Sequence, residues 1–407
     1  MWAMAKPQTS TVPLLKPVVP ILFLIYSAFI TLGMPDSMFG VAWPTMRKGF
    51  GVPIDAMGLA MVFGLGGYLL SSFLCGRLLA RVSISGFEAL SCALAGTALV
   101  GDCLVPAWIW FILISFALGL AAGGIDAGLN TYVAAHFGPR QMHWLHACYG
   151  VGVTLGPLFM TMSLNAFGGW RPGYLVVGGI QLLLSVSFLF STPLWNRFHQ
   201  AAKRGQVKKL TDYDTSLLQT LAHAPAWAGM LLFFLYSGAE FSLGFWAYSI
   251  LTESRGVAPT PAGIVVSGYW GMFTVGRILS GIYAKHTPAD RIVLGCLSLA
   301  LAGSFLLWMN LSPVLSLSGI VLTGFAIAPV FPSLVSGTQD RIDRHHVSNA
   351  IGMQMSAAGT GSACVSALMG VLARRISMEA IPAALLGLFA VILALFIATM
   401  RRKVSKT

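Results

Sequence analysis

The chain is 407 residues long with a formal net charge of +12; 56% of it is hydrophobic and only 9% is Asp, Glu, Lys or Arg, against roughly 25% charged residues in ordinary soluble domains. A water-soluble surface cannot be built from that composition. Nor does the positive charge indicate nucleic acid, whose recognition needs a clustered basic face with polar or aromatic readers, because the basic residues here fall between apolar runs.

Apolar stretches of about 20 residues, the length that crosses a hydrocarbon core of roughly 30 Å, recur along the whole chain. Twelve membrane helices are expected, over 18–40, 54–80, 85–104, 107–135, 141–167, 172–194, 225–251, 259–284, 290–309, 313–338, 345–374 and 379–400. The first follows Lys6 and Lys16 as a signal peptide would, but no A-x-A pattern ends it, so a retained helix is expected. It carries Asp36, Gly40 and Trp43-Pro44, with positions 36, 40 and 43 on one helical face. The second ends on Gly76-Arg77-Leu78-Leu79. In the fourth, Asp126 and Asn130 stand four apart and point the same way. The fifth contains Leu145-His146-Ala147-Cys148-Tyr149-Gly150-Val151-Gly152, and the sixth contains Gln181.

The longest polar stretch, 195–224, carries Lys203, Arg204, Lys208 and Lys209 beside Asp212 and Asp214. It reads as a cytoplasmic linker between an N-terminal bundle over 1–194 and a C-terminal bundle over 225–407 that ends in a short basic tail. The seventh span holds Tyr236, Glu240, Gly244 and Trp246; the eighth holds Tyr269, Trp270 and Gly276-Arg277-Ile278-Leu279, which echoes the end of the second span. Gln354 lies in the eleventh, with His345-His346 and Asn349 at its start.

Sorted by alternate loops, 19 basic residues fall on one side, Lys6, Arg77, Arg277 and Arg401 among them, against six on the other: Arg47, Lys48, Arg171, Arg255, Arg374 and Arg375. The positive-inside rule then puts both termini in the cytoplasm of a multi-pass inner-membrane protein. The six cysteines form no C-x-x-C pair and read as small packing residues, so neither a metal nor any other cofactor is expected. Most of the 45 glycines read as contacts that let helices approach closely, and Pro35, Pro44, Pro157, Pro329 and Pro332 as kinks beside a cavity.

An ionisable side chain at mid-membrane costs a few kcal/mol even on lenient insertion scales, which makes it a functional candidate. Of 13 acids, Asp36, Asp126 and Glu240 sit well inside spans, and the others read as loop residues in water. Desolvation raises a carboxyl pKa and lets such a group load and release a proton near neutral pH. Proton coupling is therefore the expected role of the three, the alternative being permanent interhelical hydrogen bonds. Asn130, His146, Tyr236, Gln181 and Gln354 are candidate hydrogen-bonding groups for a solute. Trp246, Tyr269 and Trp270 read either as a platform for a sugar ring or as helix packing.

These local patterns, with Gly124-Ile125-Asp126-Ala127-Gly128-Leu129-Asn130 in the fourth span and Gly238-Ala239-Glu240 in the seventh, resemble the major facilitator superfamily, in particular its fucose:proton symporter-like branch of bacterial sugar and rhizopine-type carriers. The resemblance implies an all-α membrane protein with 12 transmembrane helices in two pseudo-symmetric six-helix bundles and a solute site between them. It also implies that Asp36 and Asp126 serve coupling or sugar hydroxyls and that Glu240 faces the cavity. Two departures stand out. The family loop G-x-L-a-D-r-x-G-r-r is replaced by Gly76-Arg77-Leu78-Leu79-Ala80-Arg81-Val82-Ser83, without its acid, and the Gly152–Pro157 exporter-like motif lacks the Gly-Gly that should follow.

No G-x-x-x-x-G-K-[ST] phosphate loop is present, so an ion or solute gradient is the expected energy source. The expected function is proton-coupled symport of a sugar or related polyhydroxylated solute by a carrier that works as a monomer, with sodium as an alternative coupling ion. Proton-driven export of drug-like compounds is the competing reading. A membrane enzyme or a sensor is a third, which no catalytic cluster or signalling domain in the sequence favours.

Overall fold

A computed structural model describes residues 18–137, 139–196, 217–283, 286–343 and 346–403. Twelve of its helices are long and apolar enough to cross a membrane. They are α1 (Val18–Phe50), α2 (Met57–Leu79), α3 (Ile84–Asp102), α4 (Trp108–His136), α5 (Pro139–Phe167), α6 (Arg171–Phe190), α7 (Ala224–Ser249), α8 (Pro259–Tyr283), α9 (Ala289–Met309), α10 (Pro313–Ile327), α11 (Val347–Arg375) and α12 (Ala380–Lys403). A chain segment in hydrocarbon has to satisfy its backbone groups internally, and the helix does so for any apolar side chain. Most of the expected linker, with Lys203 to Asp214, lies outside the described residues, as do Lys6, Lys16 and His345.

Helix ends follow local chemistry. Ser83 caps α3 by accepting from the Gly86 amide, and Ser312 caps α10 by accepting from the Leu315 amide, each at 3.3 Å. Asn310 ends α9 in the left-handed region at φ 46°, and its Oδ1 accepts a bond from the Ser316 hydroxyl at 2.8 Å.

Three spans differ from the expected bounds. The first runs on to Phe50, because Pro44 is accommodated inside α1, as is Pro35. The seventh continues past Ser249 as a π-helical turn over Ile250–Ser254. The tenth breaks at Ala328-Pro329 and resumes over Val330–Ser336, since a proline offers no backbone donor to the preceding turn.

The packing repeats itself. In the first six helices α1 packs on α5 and α6, α2 on α4, and α3 on α4 and α6; in the last six α7 packs on α11 and α12, α8 on α10, and α9 on α10 and α12. Adding six to each label of the first set gives the second. Across the two groups α5 meets α8, α2 meets α11 and α1 meets α7, contacts that a two-fold exchange of the groups maps onto one another. These are two pseudo-symmetric six-helix bundles, with Gly76-Arg77 and Gly276-Arg277 at corresponding places on α2 and α8.

Many contacts between the bundles gather at the end of the molecule where α1 and α7 finish, the distal end. Arg47 of α1 pairs with Glu253 at 2.8 Å and Arg374 of α11 pairs with Asp55 at 3.1 Å. Gly40 lets α1 press directly on the Phe245 backbone, and Asn165 donates to the Thr260 hydroxyl at 2.9 Å. Nearer the middle, the Ser267 hydroxyl donates to the Thr154 carbonyl at 2.6 Å.

Candidate functional site

The N-terminal bundle brings α1, α2, α4 and α5 together around two carboxyl groups. Gly33 leaves room on α1 for Tyr149 of α5, whose phenol donates to Asp36 Oδ2 at 2.8 Å. Gly123 of α4 does the same for Tyr68 of α2, whose phenol donates to Asp126 Oδ2 at 2.5 Å. The Asn130 amide donates to Asp126 Oδ1 at 2.8 Å, as expected from their four-residue spacing. Asp36 and Asp126 lie within electrostatic range of each other. Among the described residues, no Lys or Arg nitrogen comes within 4.0 Å of either, whereas six other acid–base pairs do. All five side chains are half-buried rather than enclosed.

The C-terminal bundle presents a different acid. Glu240 of α7 is buried, with Arg277 of α8 at 4.0 Å, and the guanidinium also lies 4.3 Å from the centroid of the Phe273 ring. Arg277, expected near the cytoplasmic end of the eighth span and counted among the basic residues of that side, turns toward a carboxylate of α7. Tyr149 stands between the two centres, within electrostatic range of Asp36, Glu240 and Arg277.

Of the remaining candidates, Tyr236 and Tyr269 lie against Glu240 and the others disperse. Tyr236 is buried and donates to the Ile327 carbonyl at 2.7 Å, satisfying backbone at the break in α10. Tyr269 donates to the Glu240 backbone carbonyl at 2.7 Å, beside the acid but also buried. Trp246 packs over Gly370, and its indole donates to the Ser366 carbonyl at 2.9 Å. Trp270 fits over Gly244 between Tyr269, Phe241 and Phe273, with its indole nitrogen lacking a bond. Gln354 is buried against Gly229 and accepts from the Thr338 hydroxyl at 3.0 Å. Gln181 is buried in α6, and His146 is exposed on α5 beside Phe29.

Two acids read as loop residues are in fact buried. Glu88 in α3 and Asp102 at its end are both 0% exposed, and none of their four carboxyl oxygens has a hydrogen-bond partner. The reading failed because both sit close to the ends of an apolar run, where sequence alone implies water; packing of α3 between α4 and α6 removes it. Tyr68, Tyr149 and Arg277 were also passed over as site residues. A spacing signal existed only for the tyrosines, each followed or preceded by the small residues that mark close helix approach.

Comparison with known proteins agrees with this architecture. Residues 25–363 match the sequence profile of the Major Facilitator Superfamily. A glucose/mannose transporter GlcP of Bacillus subtilis (strain 168) is 26% identical over 361 residues, covering 85% of this chain and 86% of the relative. Sodium-dependent glucose transporter 1 of Homo sapiens is 24% identical, covering 86% of this chain and 73% of the relative. A bacterial homologue of the human lysosomal transporter Spinster, in an inward-facing and occupied conformation, superposes with a TM-score of 0.76 at 12% identity, covering 94% of this chain and 96% of that one. The nucleoside transporter NupG gives the same TM-score and identity, with 94% and 99% covered. With a profile match running over most of its length and twelve helices in the corresponding arrangement, the chain belongs to the Major Facilitator Superfamily and is a multi-pass membrane transporter of small solutes.

Proposed function

We propose that the chain is a proton-coupled sugar symporter of the fucose:proton symporter-like branch, working by alternating access between an N-terminal bundle, 1–194, and a C-terminal bundle, 225–407. The observation that carries the proposal is the pair of interior acids Asp36 and Asp126, each hydrogen-bonded by a tyrosine and neither beside a cation. A carboxylate in a poorly hydrated site with no counter-charge gains most by taking a proton. The two acids lie within electrostatic range of each other, so a negative charge on one favours a proton on the other.

Glu240 differs because Arg277 supplies its counter-charge. We assign Asp36 and Asp126 to proton coupling. Glu240 and Arg277 then serve as a polar pair that a sugar's hydroxyls can bridge, with Tyr149 and Asn130 as nearby hydrogen-bonding groups. Relatives named as glucose and mannose transporters, aligned over most of the chain, support a hexose-like solute. With both termini in the cytoplasm of the inner membrane, the distal end faces outward. The Arg47–Glu253 and Arg374–Asp55 pairs would then close the outer mouth.

The test is uptake of labelled hexoses into proteoliposomes under an imposed pH gradient, a sodium gradient, or neither. Accumulation only with acid outside supports the reading, and accumulation that ignores the pH gradient overturns it. A second reading, sodium coupling, is favoured by the name of the 24% identical human relative and by the oxygen ligands that Asp126 and Asn130 offer a cation. The sodium arm of the same experiment decides it.

A further inference from the structure

The fold leaves two embedded acids, Glu88 and Asp102, without a task, and of these Glu88 is the one that neighbours Asp126. Glu88 lies in α3, fully buried, and neither of its carboxyl oxygens has a hydrogen-bond partner. A buried polar group without a partner costs about 1 to 3 kcal/mol, and more when charged, so a wholly idle Glu88 would be an expensive residue to hold inside a bundle.

Its surroundings connect it to the site. Glu88 points at α4, where Gly128 is the residue that makes room: a Cβ placed there would meet Glu88 Oε1 at 2.2 Å. Gly128 is two residues from Asp126, and Glu88 and Asp126 are within electrostatic range through that one helix. The seam between α2, α3 and α4 is lined with hydroxyls. Ser91 of α3 and Ser71 of α2 both approach Gly124, and Ser72 of α2 approaches Gly123, against which Tyr68 also packs on its way to Asp126. The titratable groups facing Glu88 are Asp126 from α4, Cys75 from α2 and Cys92 from α3 itself. From α6 the nearest polar contact to its turn is the Ser185 hydroxyl, which donates to the Ala89 carbonyl at 2.7 Å. Among the described residues, no Lys or Arg nitrogen pairs with Glu88.

We infer that Glu88 is a second proton-binding site of the N-terminal bundle, set behind α4 and titrating together with Asp126. The exchange is balanced: a proton lost from one carboxyl is gained by the other or by solvent outside the bundle, and the bundle's charge changes only when a proton enters or leaves. The inference rests on the proton-coupled reading for its purpose, but its test does not need transport.

The test follows the carbonyl stretch of protonated carboxyl groups by infrared difference spectroscopy on the reconstituted full chain, stepping between about pH 5 and about pH 9. Isotope-labelled glutamate in an otherwise unaltered Glu240→Gln chain moves the bands of Glu88, Glu253 and Glu379 without altering Glu88, and the band lost in Glu88→Gln is assigned to Glu88. The expected result is a label-sensitive band that disappears as pH rises, is missing in Glu88→Gln, and titrates about one pH unit lower in Asp126→Asn, where its negative neighbour is gone. A label-sensitive band that stays constant over the whole range, or one whose midpoint ignores Asp126→Asn, overturns the inference. If the band titrates as expected while sugar uptake ignores pH gradients, the proton site stands and the proposed coupling falls.

Discussion

Asp36 and Asp126 owe their importance to what surrounds them. Each has a phenol on one carboxyl oxygen, and a hydrogen bond to a charged group is worth about 1.5 to 3 kcal/mol. Tyr149→Phe and Tyr68→Phe should therefore slow gradient-driven uptake by about tenfold or more, the equivalent of about 1.4 kcal/mol, and shift its pH profile while leaving protein yield unchanged. An unaltered profile would show that the phenols merely pack. Neutralising the acids themselves has a sharper expected outcome: Asp36→Asn and Asp126→Asn abolish accumulation yet retain sugar exchange at equal pH, measured as counterflow. The two aspartates were legible in the sequence because a charge inside a 20-residue apolar run stands out. Glu88 was not, since its place four residues into α3 resembles a loop, and only the contact with Gly128 of α4 shows that it is buried. The same holds for Arg277, whose direction depends on Glu240, 37 residues earlier in the chain.

At the scale of helices, close approach decides what a substitution does. Gly119 of α4 crosses α2 so tightly that a Cβ would lie 1.9 Å from the Gly64 carbonyl oxygen, within one bundle. At Gly40 the Cβ would meet the Phe245 carbonyl oxygen at 2.6 Å, across the two bundles. Gly119→Ala is accordingly expected to reduce the yield of folded protein in detergent. Gly40→Ala should fold and instead push α1 away from α7, opening the distal end. The ion pairs act in the same direction. Arg47–Glu253 and Arg374–Asp55 are partly exposed, and such pairs contribute roughly 0.2 to 1 kcal/mol each. Removing both, as Glu253→Gln with Arg374→Gln, should shift the equilibrium toward an outward-open form several-fold, read as faster labelling of a cysteine placed at Phe245, which packs against Phe39 across the two bundles. Arg255 and Glu379 make a further pair at this end, at 2.7 Å within the C-terminal bundle. The Arg255 hydrogen bonds hold the Glu379 carboxyl below the usual glutamate range. Because the folded value is depressed, the pair's stabilisation is present above the ordinary glutamate value and lost as pH falls through the depressed one. Helix number and most boundaries were legible from apolar run length. The break at Pro329 was legible too, since its proline marks a kink, whereas the π turn over Ile250–Ser254 carries no such local mark.

For the molecule as a whole, the proposed site draws on both bundles, as alternating access requires. Asp36, Asp126 and Tyr149 come from the first six helices, Glu240 and Arg277 from the last six, and Tyr149 sits within electrostatic range of both groups. Protonation in one bundle can therefore be felt by the pair in the other without any covalent link. In the proposed mechanism a change of charge at Asp36–Asp126 alters the field on Glu240–Arg277, and a sugar bridging the two would favour the form in which the bundles close around it. The measurement closest to this claim is proton movement caused by sugar. Sealed vesicles carrying the protein right-side out in weakly buffered medium receive a hexose, and external pH is followed. The account predicts transient alkalinisation outside as protons enter with the sugar, absent in Asp126→Asn; sugar entry with no change in external pH would contradict it.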